Sequence, residues 1–406
     1  MIALSFVSHN ACVLGVNPSR RRAPVPAEGR RRYHGAHAAA PHRAADRQIP
    51  HPSSSSMAPP RKPTTPRTAL APVAGRATGS VTLADVAKIA GVSPITVSRV
   101  VNQPGLVSAR TVARVQEAIQ RTGYVPNLLA GGLASRRSRL IAAIVPTIAN
   151  SIFADTIQAL TDRFSQAGYQ MMLGLSGYAA TREQDLLAAI LSRRPDGIVL
   201  TGIAHTADTR RRLLAARVPV VETWDITPTP IDMLVGFSHE KVGQTVAEFL
   251  YARGYRRPAI LSASDQRAES RRLGFIDALA RHGITEVLSS IVPAPSSLGL
   301  GREGLARLLD GGAQPDVVFC SSDTLAQGAL SEARARGLQV PEQLAVMGFG
   351  DLNFAAHTYP ALSTVRIDGP AIGRTAAECL LARIDGREVG ERIIDLGFEV
   401  IQRDSA

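Results

Sequence analysis

The sequence predicts a small all-α module followed by a larger α/β body built on parallel sheets. Three observations lead there. Residues 82–123 carry helix caps and helical apolar spacing, short apolar runs alternate with amphipathic stretches from Leu140 onward, and positive charge is concentrated ahead of that alternation. With 406 residues the chain has room for a small module and one or two full-sized domains, since single cores stop growing near ~250–300 residues.

The helical module is legible from its punctuation. Thr82 can cap a helix, and Asp85 three residues on favours the same N-terminus; Leu83, Val86, Ala87 and Ala90 then share one face. Gly91 ends that helix, where a left-handed residue is tolerated. Ser93 is a second cap and Pro94 suits the first helical position, so a second helix runs over about 94–101 with Val97, Val100 and Val101 available for the core. A third starts after Ser108 and keeps Val112, Val115 and Ile119 together until Gly123. Two short helices around a Gly-containing turn match the helix-turn-helix, whose second helix enters the major groove. By spacing alone an αα-hairpin docked on the body is the alternative; clustered cations and flanking hydroxyls favour the first reading.

The body alternates many times over. Leu140–Val145, Gln170–Leu175, Gly197–Thr201 and Val218–Glu222 read as strands, separated by helical stretches at Ile152–Ala167, Arg182–Arg193 and Asp208–Arg217. A second series has helical Val242–Arg253, Arg271–His282, Gly301–Leu309 and Leu325–Arg336. Its strands are Ala259–Ser262, Glu286–Val292, Val317–Cys320 and Leu344–Phe349. Such repetition predicts parallel sheets covered by helices on both faces, with ligands at the carboxyl ends of the strands.

Charge divides the chain in the same way. Residues 1–80 hold twelve Lys and Arg against Glu28 and Asp46, and residues 81–142 hold eight cations against Asp85 and Glu117; with a total of +12, the remainder is mildly acidic. A basic front on an acidic body suits a nucleic-acid reader, because phosphate neutralisation needs cations only where the backbone is touched. Residues 1–80, rich in Pro, Ala, Arg and Ser, predict disorder; they read either as a DNA-scanning tail or as an upstream extension with the start at Met57. Cys12, Cys320 and Cys379 are too few and too scattered for a disulfide framework or a zinc site. No apolar run reaches the ~18 residues that span a bilayer, and Met1–Val16 lacks a basic start, so no signal peptide, no membrane partner and a cytoplasmic location are expected. Neither G-x-S-x-G nor GxxxxGK[ST] occurs, and His239 near Glu240 or Ser321–Ser322–Asp323 is a poor basis for an enzyme; no cofactor or metal is expected.

The run VTLADVAKIAGVSPITVSRVVNQPGLVSARTVARVQEAIQRTGYVPNLLAGGLA closely resembles the N-terminus of LacI/GalR-family repressors, and the segment after it is similar to that family's two-lobed, periplasmic-binding-protein-like sensor. The resemblance covers about 81–404. It implies a helix-turn-helix domain at 81–126, a hinge at 127–139 and an effector-binding and dimerisation domain at 140–406. It implies a sequence-specific transcription repressor whose affinity for operator DNA is modulated by a small sugar or sugar acid, acting as a homodimer or tetramer. A sugar-binding protein without a DNA role is the alternative; it would lack the helix-turn-helix and carry a secretory signal.

Carried over by position, the resemblance implies that Pro94, Ile95 and Arg99 face base edges, and that Thr96, Ser98, Asn102, Ser108, Tyr124 and Asn127 touch phosphates. It places a hinge at 130–135 with Leu133 as a minor-groove wedge. Gly131 and Gly132 there depart from better helix formers, each weakening a helix by roughly 0.5–1 kcal/mol, so a hinge that orders only on DNA is expected, with a plain linker as the alternative. At the effector cleft it implies Asn150, Phe153, Asp225, Arg271 and Asp323, the aromatic packing on the ligand while Arg and Asp bond its polar groups. Arg271, read as opening a helix, is preferred over Arg272; Asp323 reads equally as a helix cap. Gly350 stands where an acid is often found, which weakens a neutral-sugar assignment. PDGIVLTGIAHT, PVVETWD, VGFSHE and LLARIDGREVGERIIDLGF look most like the family's gluconate-utilisation repressors, and a sugar acid would need a cation such as Arg271.

Overall fold

The computed structural model describes residues 81–125, 137–149, 151–312 and 314–406. The expected extension 1–80 and hinge positions 127–136, with Asn127 and Leu133, lie outside the described residues, as does Asn150. The N-terminal module has three helices, α1 (Leu83–Ala90), α2 (Pro94–Asn102) and α3 (Ala109–Thr122). Thr82 and Asp85 form a reciprocal capping box that satisfies two helix-start donors at once. Gly91 takes the left-handed conformation at φ 61°, and Arg114 of α3 donates to the Ala90 and Gly91 carbonyls, tying the third helix to the turn. Ser93 accepts from the Thr96 amide. Ser108 precedes α3 without bonding a backbone donor; its hydroxyl meets that of Thr111 instead. Val86, Ala87, Ala90, Val97, Val100, Val115 and Ala118 make the core. Val101, expected in it, is only half-buried, because Val97 and Val100 already occupy the inward face of α2.

In the body, β1 (Leu140–Val145), α4 (Ala154–Gln166), β2 (Gln170–Leu175), α5 (Ala180–Leu191), β3 (Gly197–Thr201), α6 (Ala207–Ala216), β4 (Val220–Thr223) and β5 (Met233–Gly236) wind in turn. With β11 (Ile393–Asp395) they form a six-stranded parallel sheet in the order β2-β1-β3-β4-β5-β11. The carboxylate of Asp196 receives the Ser138 amide, the Ser138 hydroxyl and the Arg139 amide, fixing the chain where it enters β1.

A second parallel sheet, β7-β6-β8-β9, repeats that winding with β6 (Pro258–Ala263), β7 (Leu288–Val292), β8 (Val317–Cys320) and β9 (Ala345–Met347). Its helices are α7 (His239–Ala252), α8 (Gln266–Arg281), α9 (Leu298–Asp310) and α10 (Asp323–Ala335). The chain then pairs β10 (Thr364–Arg366) with β12 (Glu399–Ile401) antiparallel and lays α11 (Gly369–Ile384) against α4 and the first sheet. One buried cluster runs from Ile141 and Val199 through Trp224, Phe237 and Phe349 to Phe275 and Phe319, joining the cores of both sheets. Each fully buried aromatic there contributes roughly 1.5–3 kcal/mol of apolar burial.

Most expected strands and helices recur within one to five residues of their sequence bounds, but α8 corrects one reading. It starts at Gln266, capped by Asp265, so Arg271 lies in its second turn and does not open it. The helix's first turn is polar and carries no periodic apolar signal, which hid its start. Asp323 likewise is the first residue of α10, and the cap is Ser322. Helices α7 and α8 pack so closely that a Cβ on Gly243 would lie 2.0 Å from the Arg271 carbonyl, and one on Gly274 2.3 Å from that of Glu240. Only glycine permits that approach, and it fixes the backbone that presents Arg271.

Candidate functional site

Two regions carry functional geometry, and helix α2 supplies the first. Its register turns Val97 and Val100 inward and leaves Pro94, Ile95, Arg99 and Asn102 exposed on the opposite face, with Ile95 67% exposed. A large aliphatic in water at a helix start has no role in the module's core. The Arg99 side chain makes no hydrogen bond or ion pair among the described residues, so its guanidinium can fork onto an acceptor pair such as guanine O6 and N7. Thr96 is tied to Ser93 through their hydroxyls at 2.9 Å, and Asn102 donates to the Ser98 carbonyl at 2.9 Å and its hydroxyl at 3.3 Å. Tyr124 packs against the module's core. The structure thus brings Pro94, Ile95, Ser98, Arg99 and Asn102 onto one helix; Ser108 and Tyr124 flank α3.

The second region lies where the carboxyl ends of both sheets' strands meet, as doubly wound topology predicts. A recess of about 220 Å³ is lined by Thr201 at the end of β3, Gly202 and Ile203 after it, Asp225 after β4, and Ser264 to Arg267 after β6. Beside it a tight compartment of about 30 Å³ is lined by Phe153, Trp224, His239, Arg271, Ser321 and Phe349 among others. Tyr178, Asp265 and Arg267 line both.

The tight compartment is an aromatic box around a cation. Phe153 meets Trp224 edge-on at 5.1 Å, Trp224 meets Phe237 at 5.9 Å, and the Arg271 guanidinium lies 3.9 Å over the Phe349 ring. Trp224, with φ at 65°, turns its indole to donate to the Thr156 hydroxyl, which in turn donates to the Gly369 carbonyl. Arg271 is buried; its Nη1 donates to His239 Nδ1 at 2.8 Å and its Nη2 to the Ser321 carbonyl at 2.9 Å. His239 therefore carries its proton on Nε2, which donates to the Trp224 carbonyl at 2.9 Å, and burial together with the neighbouring arginine charges holds its pKa well below the usual histidine range. Burial draws Arg271 down to about 10, so it stays charged at neutral pH, and its Nε is a buried donor without a hydrogen-bond partner. No carboxylate salt-bridges it among the described residues.

Phe153, Asp225 and Arg271, all expected at the cleft, thus converge there. Asp225 is pushed up to about 6 by burial, against the Ile226 amide bond and the charges of Arg267 and Arg271. Asp323 is fully buried and turned elsewhere: its carboxylate accepts from the Thr364 hydroxyl at 2.5 Å and the Leu352 amide at 2.7 Å. Gly350 is followed by Asp351, whose charge is taken by Arg366 and Arg403. Sequence reasoning missed Trp224, His239, Tyr178 and Arg267 as cleft residues. Arg267 and Arg271, one turn apart on α8, were detectable once Asp265 was recognised as the cap.

Comparison with known proteins agrees with both regions. Residues 82–127 match the model for bacterial regulatory proteins of the lacI family, and residues 247–406 match the periplasmic binding protein-like domain. The chain is 42% identical over 332 residues to the HTH-type transcriptional regulator GntR of Pseudomonas aeruginosa, covering 81% of this chain and 97% of that one. Among solved structures it is similar to a LacI-family transcriptional regulator from Silicibacter pomeroyi, with TM-score 0.76, 33% identity and coverage of 80% and 99%. It is also similar to the lac repressor dimer bound to operator, with TM-score 0.69, 27% identity and coverage of 80% and 99%.

Proposed function

Because the chain belongs to the lacI family of bacterial regulatory proteins and is a DNA-binding transcriptional regulator, we propose that it is a repressor whose hold on its operator is set by a sugar acid of the gluconate type. The observation that carries the effector class is the buried Arg271 guanidinium in the cleft, charged at neutral pH and salt-bridged to no carboxylate among the described residues. A cation held this way costs desolvation free energy, which an anionic ligand offsets.

In this reading Pro94, Ile95 and Arg99 read base edges, while Thr96, Ser98, Asn102, Ser108, Tyr124 and Asn127 position the module on phosphates and Leu133 wedges the minor groove. Phe153 packs on the ligand, and Asp225 and Arg271 bond its polar groups. Asn150 joins them, and Asp323 holds the 349–352 segment behind the site. The chain divides into a helix-turn-helix domain at 81–126, a hinge at 127–139 and a sensor at 140–406. It acts as a homodimer, since each operator half-site engages one recognition helix. By linkage, the acid releases DNA only if it prefers a sensor arrangement that serves the operator less well.

Calorimetric titration of gluconate, ketogluconates and their phosphates, with and without operator DNA, tests this. Binding that weakens when operator is present is expected. No heat from any acid would remove the effector assignment and leave the DNA-binding role untouched.

A further inference from the structure

Resting on the sugar-acid reading, we propose that Arg267 is the specificity-determining cation of the cleft, the group that bonds the ligand's anionic end, and that Arg271 is chiefly a positioning residue.

Capacity for new hydrogen bonds separates the two arginines. Arg271 spends Nη1 on His239, Nη2 on the Ser321 carbonyl and its flat face on Phe349. What remains toward a ligand is narrow, and the compartment around it, about 30 Å³, is far smaller than the 220 Å³ recess beside it.

Arg267 stands at the other limit. It makes no hydrogen bond or ion pair among the described residues, lines both the tight compartment and the 220 Å³ recess, and keeps its guanidinium 5.2 Å over the Phe153 ring. It also lies against Gly202, where an added Cβ would sit 3.3 Å from its Nη1. All five guanidinium N–H groups are thus without a hydrogen-bond partner among the described residues, beside the wider of the two compartments. Neither nearby acid is hydrogen-bonded to it: Asp265 caps α8 through the Ala268 amide, and Asp225 accepts from the Ile226 amide.

Arg267 and Arg271 are four residues apart on α8, on one helix face. An extended polyol acid can lie along that face with its anion on Arg267 and hydroxyls toward the Arg271 Nε, the remaining unpaired buried donor. The anion is a carboxylate in an aldonate, or either the carboxylate or the phosphate in an aldonate phosphate.

Trp224, the chain's sole tryptophan, lines the tight compartment and reports occupancy by fluorescence. The full chain and its Arg267→Gln and Arg267→Lys variants are titrated with gluconate, 6-phosphogluconate and glucose, with operator binding measured alongside. Arg267→Gln is expected to weaken acid binding about ten- to hundred-fold, the loss of a charge-assisted bidentate contact, while operator binding without ligand is unchanged. Arg267→Lys should recover part of that loss, which a role confined to packing on Phe153 would not produce. A drop for both acids assigns Arg267 to the carboxylate they share; a drop for the phosphate ester alone assigns it to the phosphate. Wild-type affinity for both acids in Arg267→Gln overturns the proposal and leaves the sugar-acid reading standing. A wild-type chain that binds glucose and neither acid ends both.

Discussion

Helix α2 and the cleft each present arginines, under opposite physical conditions. Arg99 stands in water on an exposed helix face, unpaired, at no desolvation cost. Arg271 sits under an aromatic lid, bonded to a neutral histidine and a carbonyl, and remains charged despite burial. An exposed cation gives affinity that salt screens and geometry sharpens; a buried one gives selectivity, because an uncharged or ill-shaped ligand leaves it uncompensated. The two regions also differ in what holds them. The module rests on seven small buried residues and two helix caps, while the cleft rests on a continuous aromatic and aliphatic cluster through two sheets.

The largest expected effect breaks the cleft and spares the helix. In Gly274→Val the new side chain meets the Glu240 backbone, which cannot yield as a flexible side chain would, and α7 must part from α8. We expect a loss of about 3–5 kcal/mol in the stability of the body. In a thermal melt followed by Trp224 fluorescence, the transition should fall or vanish while amide exchange in α1–α3 is retained. An unshifted melt would show the helix pair to be looser than its geometry requires.

Arg99→Ala acts on the other side of the comparison. It removes no internal contact, so the melt should be unchanged, and operator affinity should fall by about 1–3 kcal/mol in a gel-shift titration. Sugar-acid binding in the absence of DNA should be identical to wild type. Retained operator affinity would exclude Arg99 from base recognition.

The contrast also explains what could be read from the residues. Caps and turns are local, so Thr82, Gly91, Ser93–Pro94 and Gly123 located the module's helices to within a residue. The cleft is assembled from segments tens of residues apart, and only the backbone path brings Trp224, His239, Arg267 and Phe349 together. Strands of three or four residues, such as β5, β10, β11 and β12, lack the length to show alternation; β11 is defined by its pairing with Leu234–Gly236, more than 150 residues earlier. Helix α11 went unread because it follows the last clear strand signal, although Asp368 caps it and Pro370 occupies its first turn. Asp323 was singled out for its place after a strand, but which way its carboxylate turns depends on Thr364, a partner no spacing rule finds.

A third effect concerns the wall of the recess. His205, after β3, lies between Glu183 and the fully buried Glu222, with its other ring contact at the Gly202 carbonyl. Burial alone would strip its proton, but the hydrogen bond to Glu183 and the charge of both glutamates outweigh that and raise it to about 9. A raised histidine pKa stabilises the fold fully below its unfolded value near 6.5 and loses that contribution as pH rises through 9. Wild type should therefore exceed His205→Gln in melting temperature most clearly at pH 6, with the gap closing by pH 9.5. A gap that is constant across this range would mean the histidine is neutral.

The smallest effect separates ligand charge from ligand shape. Asp225 titrates near 6 because burial penalises its carboxylate more than the Ile226 amide and the charges of Arg267 and Arg271 relieve it. Above that pH its negative charge opposes an incoming anion, and below it the cleft is more positive by one unit. Sugar-acid affinity should thus rise a few-fold between pH 7.5 and pH 5.5, while affinity for a neutral polyol stays level, and Asp225→Asn should flatten the acid's profile at the tighter limit. The direction discriminates: if Asp225 chiefly accepts hydroxyl hydrogen bonds as a carboxylate, protonation removes acceptor capacity and affinity falls on acidification. Helix α2 contains no group that titrates in this window, so any change in DNA affinity across it, measured with ligand absent, would have to originate outside α2.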